Sequence, residues 1–222
     1  ICEGAIKIDD LAEYCKKNKI KSLGLADSFN LCGALEFSEK LSKVGTQPII
    51  GTQINFKFQE TIGLIPLFAL NLDGYKKIIE LSSKSYLKND DGAEPYLNID
   101  DLLTLESNGI SVFSGTIFGL FGKLFDKGKF TEINDLYKKL KKTFGDKFYI
   151  EIQRHNDLNE KDFENYNLKV SEKLELPIIA SHEVYYLDKD MFEAHDALMC
   201  IGQKTYVNDT TRIKLTNQHY FK

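Results

Sequence analysis

Residues able to do chemistry stand in this sequence just beyond its short apolar runs. Asp27 and Ser28 follow the run at 23–26, Gln53 lies within the run at 48–58, and Ser114 and Thr116 close the run at 110–114. Gln153, Arg154 and His155 follow the run at 148–152, and Ser181, His182 and Glu183 follow 177–180. If the runs are parallel strands, these ends share one crevice, which is where open α/β sheets and barrels place their sites. A metallohydrolase there would need several His, Asp or Glu ligands. It would also need a second ion about 3.5–4 Å from the first, to clamp a phosphate and activate water. The side chains gathered are mostly amides and hydroxyls, which are weak ligands for zinc or manganese.

The elements that must position these residues repeat as strand then helix. Asp9 and Asp10 open a first helix, with Glu13 placed for a capping box with Asp10; Leu11, Ala12 and Cys15 form its inner face and Lys16, Lys17 and Lys19 its cationic end. The run at 23–26 reads as a strand buried on both faces, followed by a helix over 31–43 that buries Leu31, Leu35 and Leu41 and stops at Gly45. Strands are predicted over 48–58, with Gly51 as a bulge, and over 64–70. Asn71-Leu72-Asp73-Gly74 then turns into a helix with Tyr75, Ile78, Ile79 and Leu81 facing inward. A loop over 88–95 precedes a short helix at 99–106, a strand at 110–114 and a well-packed helix at 117–125. An amphipathic helix follows over 130–144, then a strand at 148–152, a helix at 160–174 and a strand at 177–180. This order predicts parallel strands with helices outside. Six strands are visible, and a seventh is expected upstream of Ile1, which makes a barrel-like ring.

The chain has 222 residues and 42% hydrophobic content, enough for one large α/β domain. It begins at Ile1 and ends at Lys222 inside a continuing segment, so it reads as an excerpt of a longer protein. No 18-residue apolar run and no signal-like start are present, so a soluble, cytoplasmic protein with no membrane partner is expected. Cys2, Cys15, Cys32 and Cys200 have neither disulfide-framework nor zinc-finger spacing. The net charge is -4, and Arg154 and Arg212 are the only arginines, a poor composition for the main nucleic-acid contact. The lysines of 130–144 (Lys138, Lys139, Lys141, Lys142) read as a solvated face. His155, after Arg154 at a strand end, reads as a hydrogen-bonded loop histidine, with a remnant ligand as the alternative, and His195-Asp196 as packing or a helix cap beside Phe192 and Met199. His182 and Glu183, adjacent on an extended segment, point to opposite faces and form no acid/base pair. His219, in a polar tail, carries no expected role. No nucleophile triad or phosphate-cradling glycine loop stands out.

Seven blocks carry a specific resemblance: LGLADSFNLCGALEF, QPIIGTQ, LNLDGYKKIIEL, FSGT, FYIEIQRH, IIASHEVYYL and EAHDALMCI. In order and spacing they resemble the polymerase-and-histidinol-phosphatase (PHP) domain at the N-terminus of bacterial replicative DNA polymerase III alpha subunits. The resemblance covers essentially the whole chain. It implies a distorted seven-stranded β/α barrel whose first strand lies before Ile1, with residues 202–222 leading toward a polymerase palm domain.

The resemblance also implies a metal pocket, and here the ligands are largely replaced. The family's His-x-His would precede Ile1, and an acidic position falls on Glu3. Its Thr-Asp-His falls on Ala26, Asp27 and Ser28, and its Gly-x-Glu on Gly51, Thr52 and Gln53. A further histidine position falls near Leu64. Ser-Gly-Cys falls on Ser114, Gly115 and Thr116, and Asp-x-His on Glu183, Val184 and Tyr185. The expected degenerate pocket is therefore Glu3, Asp27, Ser28, Gln53, Thr116, Glu183 and Tyr185, with no metal cluster; Glu3, Asp27 and Glu183 could at most hold one weak Mg²⁺. The parent is expected to be a DNA-directed DNA polymerase whose Mg²⁺-binding aspartates lie beyond Lys222. This domain is expected to be structural, docking the proofreading exonuclease subunit and other replicase subunits, with DNA held by the parent chain. The alternatives are a metal-dependent 3′–5′ exonuclease in this pocket and a free-standing phosphatase of the histidinol phosphate type.

Overall fold

The structure, a computed structural model, describes residues 4–88, 94–105 and 109–222. Its elements begin with α1 (Ile8–Asn18), β1 (Ser22–Ser28), α2 (Ala34–Lys43), β2 (Gln47–Phe58), β3 (Thr61–Ala69) and α3 (Leu72–Leu87). They continue with β4 (Leu97–Asn98), α4 (Ile99–Leu103), β5 (Ile110–Phe113), α5 (Leu120–Asp126) and α6 (Phe130–Phe144). The last are β6 (Phe148–Ile152), α7 (Glu160–Leu174), β7 (Ile178–Ala180) and α8 (Phe192–Gln203). The strands form one seven-stranded sheet in the order β1-β2-β3-β5-β6-β7, with β4 added beside β2. Together they give the α/β class expected, a distorted β/α barrel.

One strand breaks the parallel rule. β3 is antiparallel to both β2 and β5, whereas β1–β2, β2–β4, β5–β6 and β6–β7 are parallel. Only Gln59 and Glu60 separate β2 from β3, and so short a link can only turn the chain back on itself; Gln59 takes φ 52° to do so. The remaining strands are joined by longer crossovers, nearly all helical, and keep one direction, so most predicted strand ends do converge. No ladder joins β1 to β7 among the described residues. The segment after β7 reaches the start of the chain instead, where the Ala5 N–H donates to the Tyr185 carbonyl (2.7 Å).

The main core packs β2, β3, β5 and β6 against α3 through α7, with Phe56, Leu67, Phe121, Tyr137 and Phe148 fully buried. A second cluster joins Leu11, Cys15, Phe37 and Leu41 of α1 and α2 to Leu23 and Leu25 of β1, and to Leu187 and Phe221 from the end of the chain. The apolar period predicted α6, β6 and α7 with their observed bounds.

Several expectations need correction. β1 is an end strand of the described sheet and only half-buried, with Ser22 and Gly24 exposed, because its outer edge has no strand beside it. α1 is preceded by Lys7 with no side-chain cap, so Asp9 and Asp10 act as first-turn charges; Asp9 pairs with Lys40 at 2.7 Å. α2 begins at Ala34 because Asn30 folds residues 30–32 into a turn, its Oδ1 accepting from the Cys32 N–H at 2.9 Å. Phe37, not Leu35, then faces the core, and Leu35 is 73% exposed. In α3, Ile79 is exposed and Ser85 is buried. β4 went unpredicted because two residues carry no period. Most of the expected loop at 88–95, and Glu106 of the expected short helix, lie outside the described residues.

Gly51 is not a bulge. It sits in unbroken register opposite Phe68, where an added Cβ would lie 2.5 Å from the Leu67 carbonyl oxygen and from Phe68 Cδ1. Gly74 is tighter still, with a Cβ position 1.7 Å from the Gly109 carbonyl oxygen in the first turn of α3, beneath the Asn71 cap (Gly74 N–H to Asn71 Oδ1, 2.9 Å). Gly74→Ala is expected to cost about 1–3 kcal/mol by forcing α3 off β5. Urea denaturation measures this, and an unchanged midpoint would contradict the close approach.

Candidate functional site

The β1–β2 pairing builds one wall of the site. Parallel register sets Ser28 opposite Gln53 and Asp27 opposite Thr52. The turn after β1 is held by Thr52 Oγ1, whose single proton is shared between the Asp27 carbonyl (2.7 Å) and the Asn30 carbonyl (3.0 Å). The Asp27 carboxylate is half-buried; burial pushes its pKa up, and a hydrogen bond from the Gly33 N–H partly offsets this. Gln53 Nε2 donates to the Ala26 carbonyl (3.4 Å) and to Glu183 Oε1 (3.2 Å). The amide must present its NH₂ this way, since a carboxylate can only accept.

The structure thus brings Gln53 to Glu183, with Ser28 in register beside Gln53; Asp27 pairs with Thr52 on the other face of β1, its carboxylate at Gly33. Glu3 lies outside the described residues. Thr116 serves the turn into α5, its Oγ1 accepting from the Phe118 N–H (3.1 Å). It also lines a narrow crevice with Glu151 and Gln153. The Tyr185 ring lies against the imidazoles of His195 (5.7 Å between centroids) and His219 (5.3 Å).

Two polar clusters escaped the sequence. The first surrounds Glu151, buried on β6, whose Oε1 accepts from Ser181 Oγ and from Gln153 Nε2 (2.9 Å); desolvation pushes its pKa up. Ser114 Oγ in turn accepts from the Glu151 N–H (2.9 Å). The only signal was a glutamate inside an apolar run. The second cluster corrects the reading of His219, which is not an idle tail residue. It is buried and stacked on His155 (4.0 Å, 5°), and His155 stacks in turn on His182 (4.4 Å, 18°). No local signal marks His219, because its partners are distant in sequence. His182 Nε2 bonds the Tyr220 carbonyl (3.0 Å) while the Glu183 side chain meets Gln53, so the two diverge. His195 is packed beside Tyr186 and Tyr185, and Asp196 takes both guanidinium nitrogens of Arg212 (2.6 and 2.7 Å).

Among the described residues, Ser28, Gln53 and Glu183 are a poor donor set for a multi-metal centre: an amide NH₂ faces Glu183 where a carboxylate ligand would share a cation, and no imidazole stands among the three.

Comparison with known proteins shows the family. The pattern described as PHP domain matches residues 1–155, and the chain belongs to that family. Among its relatives, the DNA polymerase III subunit alpha of Caulobacter vibrioides is 32% identical over 235 residues, covering 100% of this chain and 20% of the relative. The subunit of the same name from Borreliella burgdorferi is 33% identical over 235 residues, again covering 100% and 20%. The one from Rickettsia conorii is 32% identical over 221 residues, covering 99% and 19%. The chain spans about a fifth of the length of these relatives. A solved structure from Bifidobacterium adolescentis, provisionally designated a metal-dependent phosphoesterase, overlaps 81% of this chain and 82% of its own at 13% identity and a TM-score of 0.42. No helix of the described residues is long and apolar enough to cross a membrane.

Gln53→Glu is expected to place two carboxylates in contact and lower stability by about 1–2 kcal/mol at pH 7. The loss should shrink near pH 5, where the pair retains a proton; equal losses at both pH values would refute the contact. Burial, and then a neighbouring histidine, depress both His155 and His219 to about 4, below an unfolded value of about 6.5. The unfolded chain therefore binds more protons between these values, and the stability these rings contribute above pH 6.5 is lost as pH falls toward 4. Asp157, raised to about 6 by burial and by Glu160, works in the opposite direction. Replacing His219 by Phe, which keeps the stack, should flatten the acid-side fall of the melting temperature; an unaltered pH profile would contradict the assignment.

Proposed function

We propose that this chain is the PHP portion of the alpha subunit of a bacterial replicative DNA polymerase, and that its own pocket is structural. The observation that carries the reading is the Gln53–Glu183 hydrogen bond, in which a neutral amide satisfies an acid that a metal-bound pocket would give to a cation. Ser28 and Gln53, a hydroxyl and an amide, supply neither the charge nor the imidazole that lowers the pKa of a water for phosphoester hydrolysis. Homology along the whole chain to polymerase III alpha subunits supports the parent assignment. Nucleotide transfer then belongs to Mg²⁺-binding aspartates of a palm domain beyond Lys222, and DNA to the parent chain. Residues 202–222 form the exit toward that palm.

The domain's role is to brace the polymerase body and to offer a docking surface to the proofreading exonuclease subunit. A separate exonuclease makes hydrolysis in this pocket dispensable. The protein acts in the cytoplasm with the other replicase subunits.

Two measurements test this. The full-length parent should capture its exonuclease subunit, and a version lacking residues 1–222 should lose at least tenfold in affinity; equal capture by both would sink the docking role. Elemental analysis of the parent should find zinc and manganese content unaltered by Asp27→Asn or Glu183→Gln. A loss of two or more ions in either variant would restore a catalytic pocket.

A further inference from the structure

His155 and His219 meet over one backbone oxygen. His155 Nε2 lies 3.1 Å and His219 Nδ1 3.2 Å from the Glu183 carbonyl, which has two lone pairs and can accept from both. Those bonds place the proton of each neutral ring on the nitrogen facing the carbonyl. They leave a lone pair on His155 Nδ1, which lies 3.6 Å from Glu160 Oε1, and another on His219 Nε2. The latter is buried and has no hydrogen-bond partner, an uncompensated polar atom of a side chain that is 2% exposed. Asp157 stands close by, half-buried near the Glu160 carboxylate, and no cation pairs with it among the described residues. Glu160 itself is engaged by the backbone N–H groups of His155 and Asn156 (2.8–2.9 Å). One ring nitrogen of each histidine and a carboxylate oxygen of Asp157 lie within 4.8 Å of one another.

We propose that His155, Asp157 and His219 form a site for a single borderline divalent cation of the Zn²⁺ class, beside Glu183 and Tyr185. Two imidazoles and a carboxylate are a zinc-type donor set, too nitrogen-rich for Mg²⁺ or Ca²⁺. Burial keeps both rings neutral near pH 7, so the ion displaces no proton from them, and the Asp157 carboxylate supplies the charge. A zinc ion lies about 2.0–2.1 Å from each ligating nitrogen. Because it must also lie in the plane of each imidazole, loading has to open the 5° stack by turning His219 away from His155. His219 belongs to the segment that returns over β6 and β7, with Thr216 Oγ1 donating to the His155 carbonyl (2.5 Å) and the Tyr185 N–H to the His219 carbonyl (3.0 Å). The ion would therefore clip the end of this chain to the β6 end of the barrel.

The test uses the full-length protein carrying these residues, stripped with chelator. It is titrated with Zn²⁺ by calorimetry and with Co²⁺ by visible absorption. The expected result is that Asp157→Asn and His219→Ala each remove one equivalent of Zn²⁺, or weaken it at least tenfold, with loss of a tetrahedral Co²⁺ band, while Asp27→Asn retains both. Asp157→Asn guards against His219→Ala failing to fold. Equal binding by wild type, Asp157→Asn and His219→Ala, or no Zn²⁺ bound by the wild type, would overturn the proposal. Loss of the ion in Asp27→Asn alone would overturn it too, and would at the same time place a metal in the PHP pocket.

Discussion

Strand β2 is bonded along both edges, and the positions of the functional side chains follow from that. Its first half pairs in parallel with β1 and its second half with β4 on the same side, while β3 runs antiparallel along the other. A backbone saturated on two sides has no freedom of register, and a one-residue slip would turn every side chain to the opposite face. Gln53 would then point away from Glu183, and Ile54 and Phe56 would exchange places with their polar neighbours. The close approach of Leu67 and Phe68 to Gly51 marks how tightly β3 lies against this strand.

With β2 set, the chemistry of the pocket becomes a question of which group occupies position 53. A carboxylate opposite Glu183 would be two like charges in a partly buried space, stable only with a cation or a shared proton between them. An amide turns the same contact into a donor and an acceptor that satisfy each other. The stability of the barrel rests on backbone ladders and on the buried cluster around Phe56, Phe121 and Phe148, none of which needs a ligand.

The end of the chain is bound to the barrel by polar contacts as much as by packing. The Arg212 side chain is 3% exposed and forks onto Asp196, so that either side chain alone would leave the other an uncompensated, largely buried charge. The same segment brings His219 to His155 and Phe221 to Tyr14 (4.9 Å), so the return of residues 213–222 joins α1, β6 and α8. The histidine stack follows from that return, and it leaves His219 Nε2 buried without a hydrogen-bond partner.

Apolar runs bounded by polar turns were enough to determine the alternation of strands and helices. They placed α6, β6 and α7 to the residue, since period, length and flanking residues all agreed there. That positions 28, 53 and 185 carry a hydroxyl, an amide and a phenol is likewise read directly from residue type. The direction of β3 was not, because Gln59-Glu60 lacks the glycine or asparagine that usually announces a tight hairpin. Nor could residue types show that Gln53 bonds Glu183, that Thr116 serves a turn, or that His219 is buried against His155. Local pattern reports only what a residue does for its own element. Which distant side chains share a carbonyl or a carboxylate is decided when the sheet curls and the chain returns, and only the tertiary structure holds that information.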